Sequence, residues 1–289
     1  MKTHLMVGPF IGSEAVTAGS VTSHALRAKF TALHRDVYLP DGVEPTAAMR
    51  ARAAWLWSRR QAVVAGASAA ALHGAKWLDP RAPAELLYDN RRPPTGITCW
   101  SDAVVDDEVV LVDGIRVTTP ARTAVDYACR YRLDEAVAAI DALSNATRLK
   151  MAEIESIAER YGGRRGIRRA RRAILLVDAG AQSPRETWLR LLVIRAGYPR
   201  PDTQVPVRNE YGIAIAHLDL GWEERRLALE YDGAHHRLSR EQFAYDIRKH
   251  EQVREAGWRV LRVTSMDSPA TVLNRLSELR ASRAPEPSG

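Results

Sequence analysis

Cysteine is nearly absent: Cys99 and Cys129 are the two thiols in 289 residues. Two thiols cannot build a disulfide framework, a four-thiolate zinc site or a two-Cys, two-His finger. Their scarcity points to a reducing, cytoplasmic setting. Long apolar runs are missing as well. Nothing approaches about 18 uninterrupted apolar residues, so no membrane-spanning helix is expected, and the opening MKTHLMVGPFIGSEA lacks the shape of a signal peptide. Lysine is scarce: Lys2, Lys29, Lys76, Lys150 and Lys249 are the lysines, and the rest of the 42 Lys+Arg are arginines. Guanidinium favours fixed, forked contacts with phosphate over a mobile point charge. No Gly-rich phosphate loop and no nucleophile elbow occurs, which removes the usual signals of a small-molecule enzyme.

What remains is a globular mixture, 46% hydrophobic and 27% charged, in a chain longer than one typical domain of about 100–200 residues. Two compact units are expected. The net charge of +7 and pI near 9.6 make a polyanionic partner plausible, with nucleic acid first. Most of that charge is local. Arg164, Arg165, Arg168, Arg169, Arg171 and Arg172 fall in GGRRGIRRARR with no acid between them. The run reads either as a solvated helix face or as a stripe that grips phosphate, Arg164, Arg165, Arg168 and Arg169 being its candidate contacts.

The spacing of apolar residues and breakers gives an α+β or α/β multidomain chain. Residues 12–45 read as two short helices (GSEAVTA, TSHALRAKF) and a strand through His34–Leu39, the order of a small winged helix-turn-helix. Thr22 or Ser20 would cap the second helix and Ala25, Leu26 and Phe30 would be buried. Ser23, His24 and Arg27 would face outward as candidate DNA readers. An ordinary helical hairpin is the alternative. Residues 46–160 hold an alanine-rich helical block, strands near Glu85–Tyr88, Ile97–Trp100 and Val109–Val117, and a helix begun by Pro120. His73, ahead of Gly74, reads as a helix-end residue rather than a ligand. Residues 161–182 form a basic connector, 183–280 a second domain, and 281–289 a polar tail expected to be disordered.

The second domain carries the chemistry. Ser183 is an apt N-cap, Glu186 completes an S-x-x-E capping box, and Gly197 is a natural terminator. In IAIAHLDLGW, alternation sets Asp219 apart from Leu218 and Leu220. In RLALEYDG, Glu230 and Asp232 share a face opposite Leu227, Leu229 and Tyr231. If Asp219 lies across from them, three carboxylates converge, and converging anions cost stability unless a cation neutralises them. Mg²⁺ or Mn²⁺ suits oxygen ligands in that number. The plainer alternative is a solvated strand end with a turn at Asp232-Gly233. His235 and His236 follow directly, then a helix started by Ser239 and the strand Trp258–Thr264. Histidine beside such a cluster can serve as base, ligand or phosphate partner.

This segment resembles the very-short-patch-repair-type branch of the PD-(D/E)XK nuclease superfamily. The residues that carry the likeness are Ser183 and Glu186, then Asp219, Glu230, Asp232, Gly233 and His236 with His235 beside it, then Asp246 and Arg248, and Gly257 to Arg262. The resemblance implies a restriction-endonuclease-like αβββαβ core and metal-dependent phosphodiester hydrolysis. In it Asp219 and Glu230 would hold the metal and Glu186 would support the metal or its water. His235 or His236 would move a proton or hold phosphate, and Arg248 would contact nucleic acid. The lysine expected two residues after the second acid is Asp232 here; Lys249, on the following helix, is the lysine that would reach the site instead.

The N-terminal part resembles the AbiEi family of type IV toxin–antitoxin antitoxins, through HRDVYLPDG, ASAAALHG and GIRVTTPARTAVDYA. That likeness implies a winged DNA-binding domain at residues 1–45 and makes a toxin the candidate partner, one that a single chain does not identify. Two functions follow as expectations: a DNA-binding, Mg²⁺- or Mn²⁺-dependent endonuclease, or a DNA-binding regulator or antitoxin whose nuclease-like domain no longer cleaves.

Overall fold

A computed structural model describes residues 8–233 and 240–281, the side chains of 240–246 excepted. Two compact units result, Met1–Val177 and Asp178–Gly289. Among the described residues no helix is long and apolar enough to cross a membrane.

The first unit opens with β1 (Phe10–Ile11), α1 (Gly12–Thr17), α2 (Ser23–Lys29), β2 (Phe30–His34) and β3 (Val37–Pro40), whose strands pair antiparallel in the order β1-β3-β2. Thr22 caps α2, its side-chain oxygen accepting from the Ala25 amide at 3.1 Å. The single strand expected over His34–Leu39 is a hairpin. Its turn is Arg35-Asp36, where Asp36 takes a left-handed φ of 63° and its carboxylate accepts from the Ser13 amide and hydroxyl at 2.8 and 2.6 Å. Asp tolerates that conformation when local donors hold it. Phe30, expected to end the helix, starts β2 and packs edge-to-face on Phe10 with centroids 5.1 Å apart, a pairing that suits a pleated surface. Leu26 is buried, Ala25 half-buried, and Ser23, His24 and Arg27 face solvent.

Next come α3 (Ala47–Trp57), β4 (Val63–Val64), α4 (Gly66–Leu72), β5 (Ala84–Leu87), β6 (Ile97–Trp100), β7 (Val109–Val112) and β8 (Ile115–Thr118). The strands form a sheet in the order β6-β5-β4-β8-β7. The alanine-rich block is therefore two helices split by a strand too short to show a period of its own. Ile11 and Val37 pack in one apolar cluster with Ala53, Leu56, Leu86 and Val117. The small sheet and the larger one thus share a core across residue 45. His73 ends α4 and its Nε2 lies 2.8 Å from the Thr118 carbonyl oxygen, on β8 rather than on its own helix. Four helices complete the unit: α5 (Pro120–Arg130), α6 (Leu133–Thr147), α7 (Met151–Arg160) and α8 (Ile167–Ile174). Thr119 caps α5 and Pro120 takes its first turn, where no amide is missed.

The second unit runs α9 (Pro184–Arg195), β9 (Asp202–Arg208), β10 (Ala214–Trp222), β11 (Leu227–Asp232), α10 (Arg240–Glu255), β12 (Arg259–Thr264) and α11 (Pro269–Ala281). Its sheet has the order β12-β11-β10-β9. β9, β10 and β11 pair antiparallel, and β11 and β12 pair parallel across α10. The edge position of β9 accommodates Pro206, which has no amide to donate. Leu227, Leu229 and Tyr231 pack with Leu189, Val193 and Leu261, whereas Ala228 packs with Val205, Val253 and Trp258 on the opposite face. Period-2 alternation thus sets Glu230 and Asp232 on the Ala228 face.

Candidate functional site

The first turn of α9 supplies one carboxylate. The Ser183 side chain accepts from the Glu186 amide at 3.2 Å, and the Ser183 hydroxyl donates to Glu186 Oε1 at 2.9 Å. Glu186 Oε2 accepts from the Gln182 amide at 2.8 Å and lies 3.4 Å from Gln204 Nε2. Glu186 is therefore a cap, and it is also buried, at 8% exposure. Burial pushes its carboxyl up, and the bonds from Gln182, Ser183 and Gln204 partly offset that.

The hairpin of β10 and β11 supplies two more. Its ladder runs from Trp222–Leu227 to Leu220–Leu229. One residue further, the Asp219 side chain replaces a backbone partner, Oδ2 accepting from the Tyr231 amide at 2.8 Å. Asp219 is pushed up to about 7, chiefly by burial and next by the charge of Glu186. Glu230 adds to the rise, while the Tyr231 amide and Lys249 work against it. α10 delivers the cation. Lys249 Nζ donates to Glu230 Oε1 at 2.8 Å, and His250 Nε2 lies 3.7 Å from Glu230 Oε2.

Glu186, Asp219, Glu230 and Lys249 are thus brought together by α9, β10, β11 and α10. Asp232 is half-buried at the end of β11, and the carboxylates that act most on Asp219 are Glu186 and Glu230. His235 and His236 lie outside the described residues. Arg248 is exposed on α10. Gln204 and His250 were not anticipated. His250 had a signal, its place beside the single lysine of the unit; Gln204 had none, and it takes a left-handed φ of 51°. Among the described residues no group of three or more His, Cys, Asp or Glu is placed to hold a metal ion. The site as described pairs a raised carboxyl with a lysine–carboxylate ion pair, a combination able to exchange a proton and to meet an anion.

In the first unit, Arg164 is turned inward at 11% side-chain exposure, 2.7 Å from Asp126 and 3.1 Å from Asp102. It joins a network centred on fully buried Arg122, which pairs with Glu108 and Asp126 and donates to the Tyr161 hydroxyl at 2.7 Å. Arg165, Arg168 and Arg169 are exposed.

Residues 62–177 match the family described as the AbiEi antitoxin C-terminal domain. Two uncharacterized proteins of Mycobacterium tuberculosis, one from strain CDC 1551 / Oshkosh and one from strain ATCC 25618 / H37Rv, are each 32% identical to this chain over 156 residues. That stretch is 54% of this chain and 57% of each relative, so the chain spans little more than half the length of these curated relatives. No solved structure matches it significantly.

Proposed function

We propose that this chain is a DNA-binding regulator of the antitoxin type, whose partner is a toxin. The match of residues 62–177 to an antitoxin domain carries the reading, because that stretch lies wholly inside the first unit. Two features of that unit support it. The order α1, α2, β2, β3 is that of a winged helix-turn-helix, with Ser23, His24 and Arg27 on the solvent side of α2. Arginine supplies nearly all the positive charge, and guanidinium suits phosphate. Fluorescence anisotropy of the full chain with duplex DNA tests it. Binding should weaken steeply with salt as counterions are released, and Ser23→Ala, His24→Ala and Arg27→Ala together should lower sequence preference. No duplex binding at low salt would sink the reading.

A second reading, divalent-metal-dependent phosphodiester hydrolysis in the second unit, is favoured by one observation, the convergence of Glu186, Asp219, Glu230 and Lys249 on an αβββαβ core. In it Asp219 and Glu230 would hold Mg²⁺ or Mn²⁺, which would supply charge to the attacked phosphate. Lys249 would orient Glu230 and meet the scissile phosphate, and Glu186 would hold the Asp219 side of the site through its own cap. Plasmid cleavage that persists unchanged in Asp219→Ala and Glu230→Ala would remove this reading.

A further inference from the structure

We propose that the open hollow between the C-terminal end of α5 and the start of α8 is a phosphate site for a nucleic-acid backbone, which extends the DNA-binding reading above and rests on it. The hollow has a volume of about 840 Å³, and its lining includes Asp102, Arg130, Arg164, Arg165, Arg168 and Arg169. Five guanidinium groups face one carboxylate. That carboxylate is already engaged, pairing with both Arg130 and Arg164.

The rear of the hollow is built, and its front is left open. Arg130 lies 3.9 Å over the Trp100 ring while pairing with Asp102, and Arg164 is fixed between Asp102 and Asp126. Arg169 donates to the Cys129 carbonyl oxygen. Gly166, at a φ of 90°, allows the close approach of α8 to α5, since a Cβ there would collide with that same carbonyl. Anchored guanidiniums lose little further rotamer freedom on binding. Arg165 and Arg168, by contrast, are exposed and form no ion pair among the described residues. Like charges gathered this closely repel, and an anion relieves them.

Size and lining select the class of ligand. A lone phosphate would fill a small fraction of the hollow, and its lining is mainly arginine, with none of the aliphatic or aromatic side chains that enclose most small organic ligands. A sugar–phosphate chain crossing an open basic hollow meets both conditions, with forked guanidinium contacts to successive phosphates. Arg171 and Arg172 sit on α8 with Arg168 and are exposed as well, but they do not line the hollow. They provide a charge-matched control.

The test is anisotropy of a fluorescein-labelled duplex of about 20 base pairs, titrated with the full chain across a salt series. The variants are R165Q/R168Q and R171Q/R172Q, and far-UV circular dichroism verifies that both fold. R165Q/R168Q should bind at least about tenfold more weakly and lower the salt slope by about 1.8, at about 0.9 per phosphate. R171Q/R172Q should stay within about threefold of the parent. Equal losses in the two variants would overturn the proposal, leaving diffuse charge as the cause. Unchanged binding in R165Q/R168Q would overturn it while the DNA-binding reading stood. A second arm titrates sodium pyrophosphate by calorimetry. Pyrophosphate bound by the parent, lost in R165Q/R168Q and accompanied by no duplex binding, would assign the hollow to a free phosphate-bearing anion and overturn the backbone assignment along with the DNA-binding reading.

Discussion

Lys249 Nζ lies 2.8 Å from Glu230 Oε1, so the positive charge beside the first acid of β11 arrives from α10, nineteen residues later in the chain. Asp232, two residues after Glu230 on the same strand, is an acid, so the cation that pairs with Glu230 comes from the helix and not from the strand. The same ammonium acts on Asp219, lowering a carboxyl that burial and two neighbouring acids raise.

Lys249→Met removes that opposing charge. The Asp219 midpoint should then move upward from about 7, readable by ¹³C NMR of the aspartate carboxyls across a pH series. The fold should lose about 1–3 kcal/mol, because Lys249 and Glu230 keep only 23% and 13% side-chain exposure and Glu230 loses a charge-assisted hydrogen bond. An unmoved Asp219 titration would show that the two groups do not interact.

Much of this site was legible because its chemistry is local. Ser183, Pro184, Glu186 and Gly197 announce the ends of α9 within their own turn, and alternation alone sets Glu230 opposite Leu229. The parts that were not legible depend on partners distant in sequence or on elements too short to carry a period. β4 is two residues long. The Arg35-Asp36 turn rests on Ser13, twenty-three residues earlier. Arg164 sits in a basic run that reads as a solvent-facing stripe, yet Asp102 and Asp126 draw it inward, and nothing in the run itself distinguishes it from Arg165.

Gly66 should not tolerate a side chain. It takes a φ of 52°, and a Cβ there would meet the Glu85 carboxylate and come within 2.6 Å of Trp100 Cη2. Glu85 cannot easily withdraw, since it accepts from the Ala67 amide at 2.6 Å and from the Tyr131 hydroxyl at 2.7 Å. Gly66→Ala should cost about 2–4 kcal/mol, combining overpacking with left-handed strain. Urea unfolding measures it, and a loss under about 1 kcal/mol would show that the carboxylate can move aside.

Arg122 should be the most sensitive side chain of the first unit. It is fully buried with Glu108 and Asp126 against it, so Arg122→Met takes the central cation from two buried carboxylates and leaves Asp126 to Arg164 and Glu108 to Arg160 and the Tyr161 hydroxyl. Breaking such a cluster on one side costs about 3–5 kcal/mol. Replacing all three with apolar residues, Glu108→Leu, Arg122→Met and Asp126→Leu, should recover part of that loss, because desolvation of the acids disappears with them. Thermal melts of the single and triple variants distinguish charge from packing: a triple variant no better than Arg122→Met would mean that the geometry of the network, rather than its uncompensated charge, holds α5 in place.

Asp219 sets a pH dependence of defined sign. Its folded midpoint is about 7 against an ordinary 3.8, so between those values the folded protein binds the proton that the unfolded chain has released. Stability from this group is therefore full below about pH 4, falls as pH rises, and is lost above about pH 7. Asp219→Asn keeps an oxygen for the Tyr231 amide without the charge. It should stabilise the second unit at pH 8 by up to about 4 kcal/mol, since each tenfold difference in proton affinity between the folded and unfolded chain is worth about 1.4 kcal/mol. The gain should shrink through pH 6 and vanish near pH 4. Denaturant melts of parent and variant at pH 4, 6 and 8 give the comparison directly. A gain equal at all three values would assign it to packing, and a variant less stable at pH 8 would mean that the Asp219 charge is held by a partner stronger than Lys249.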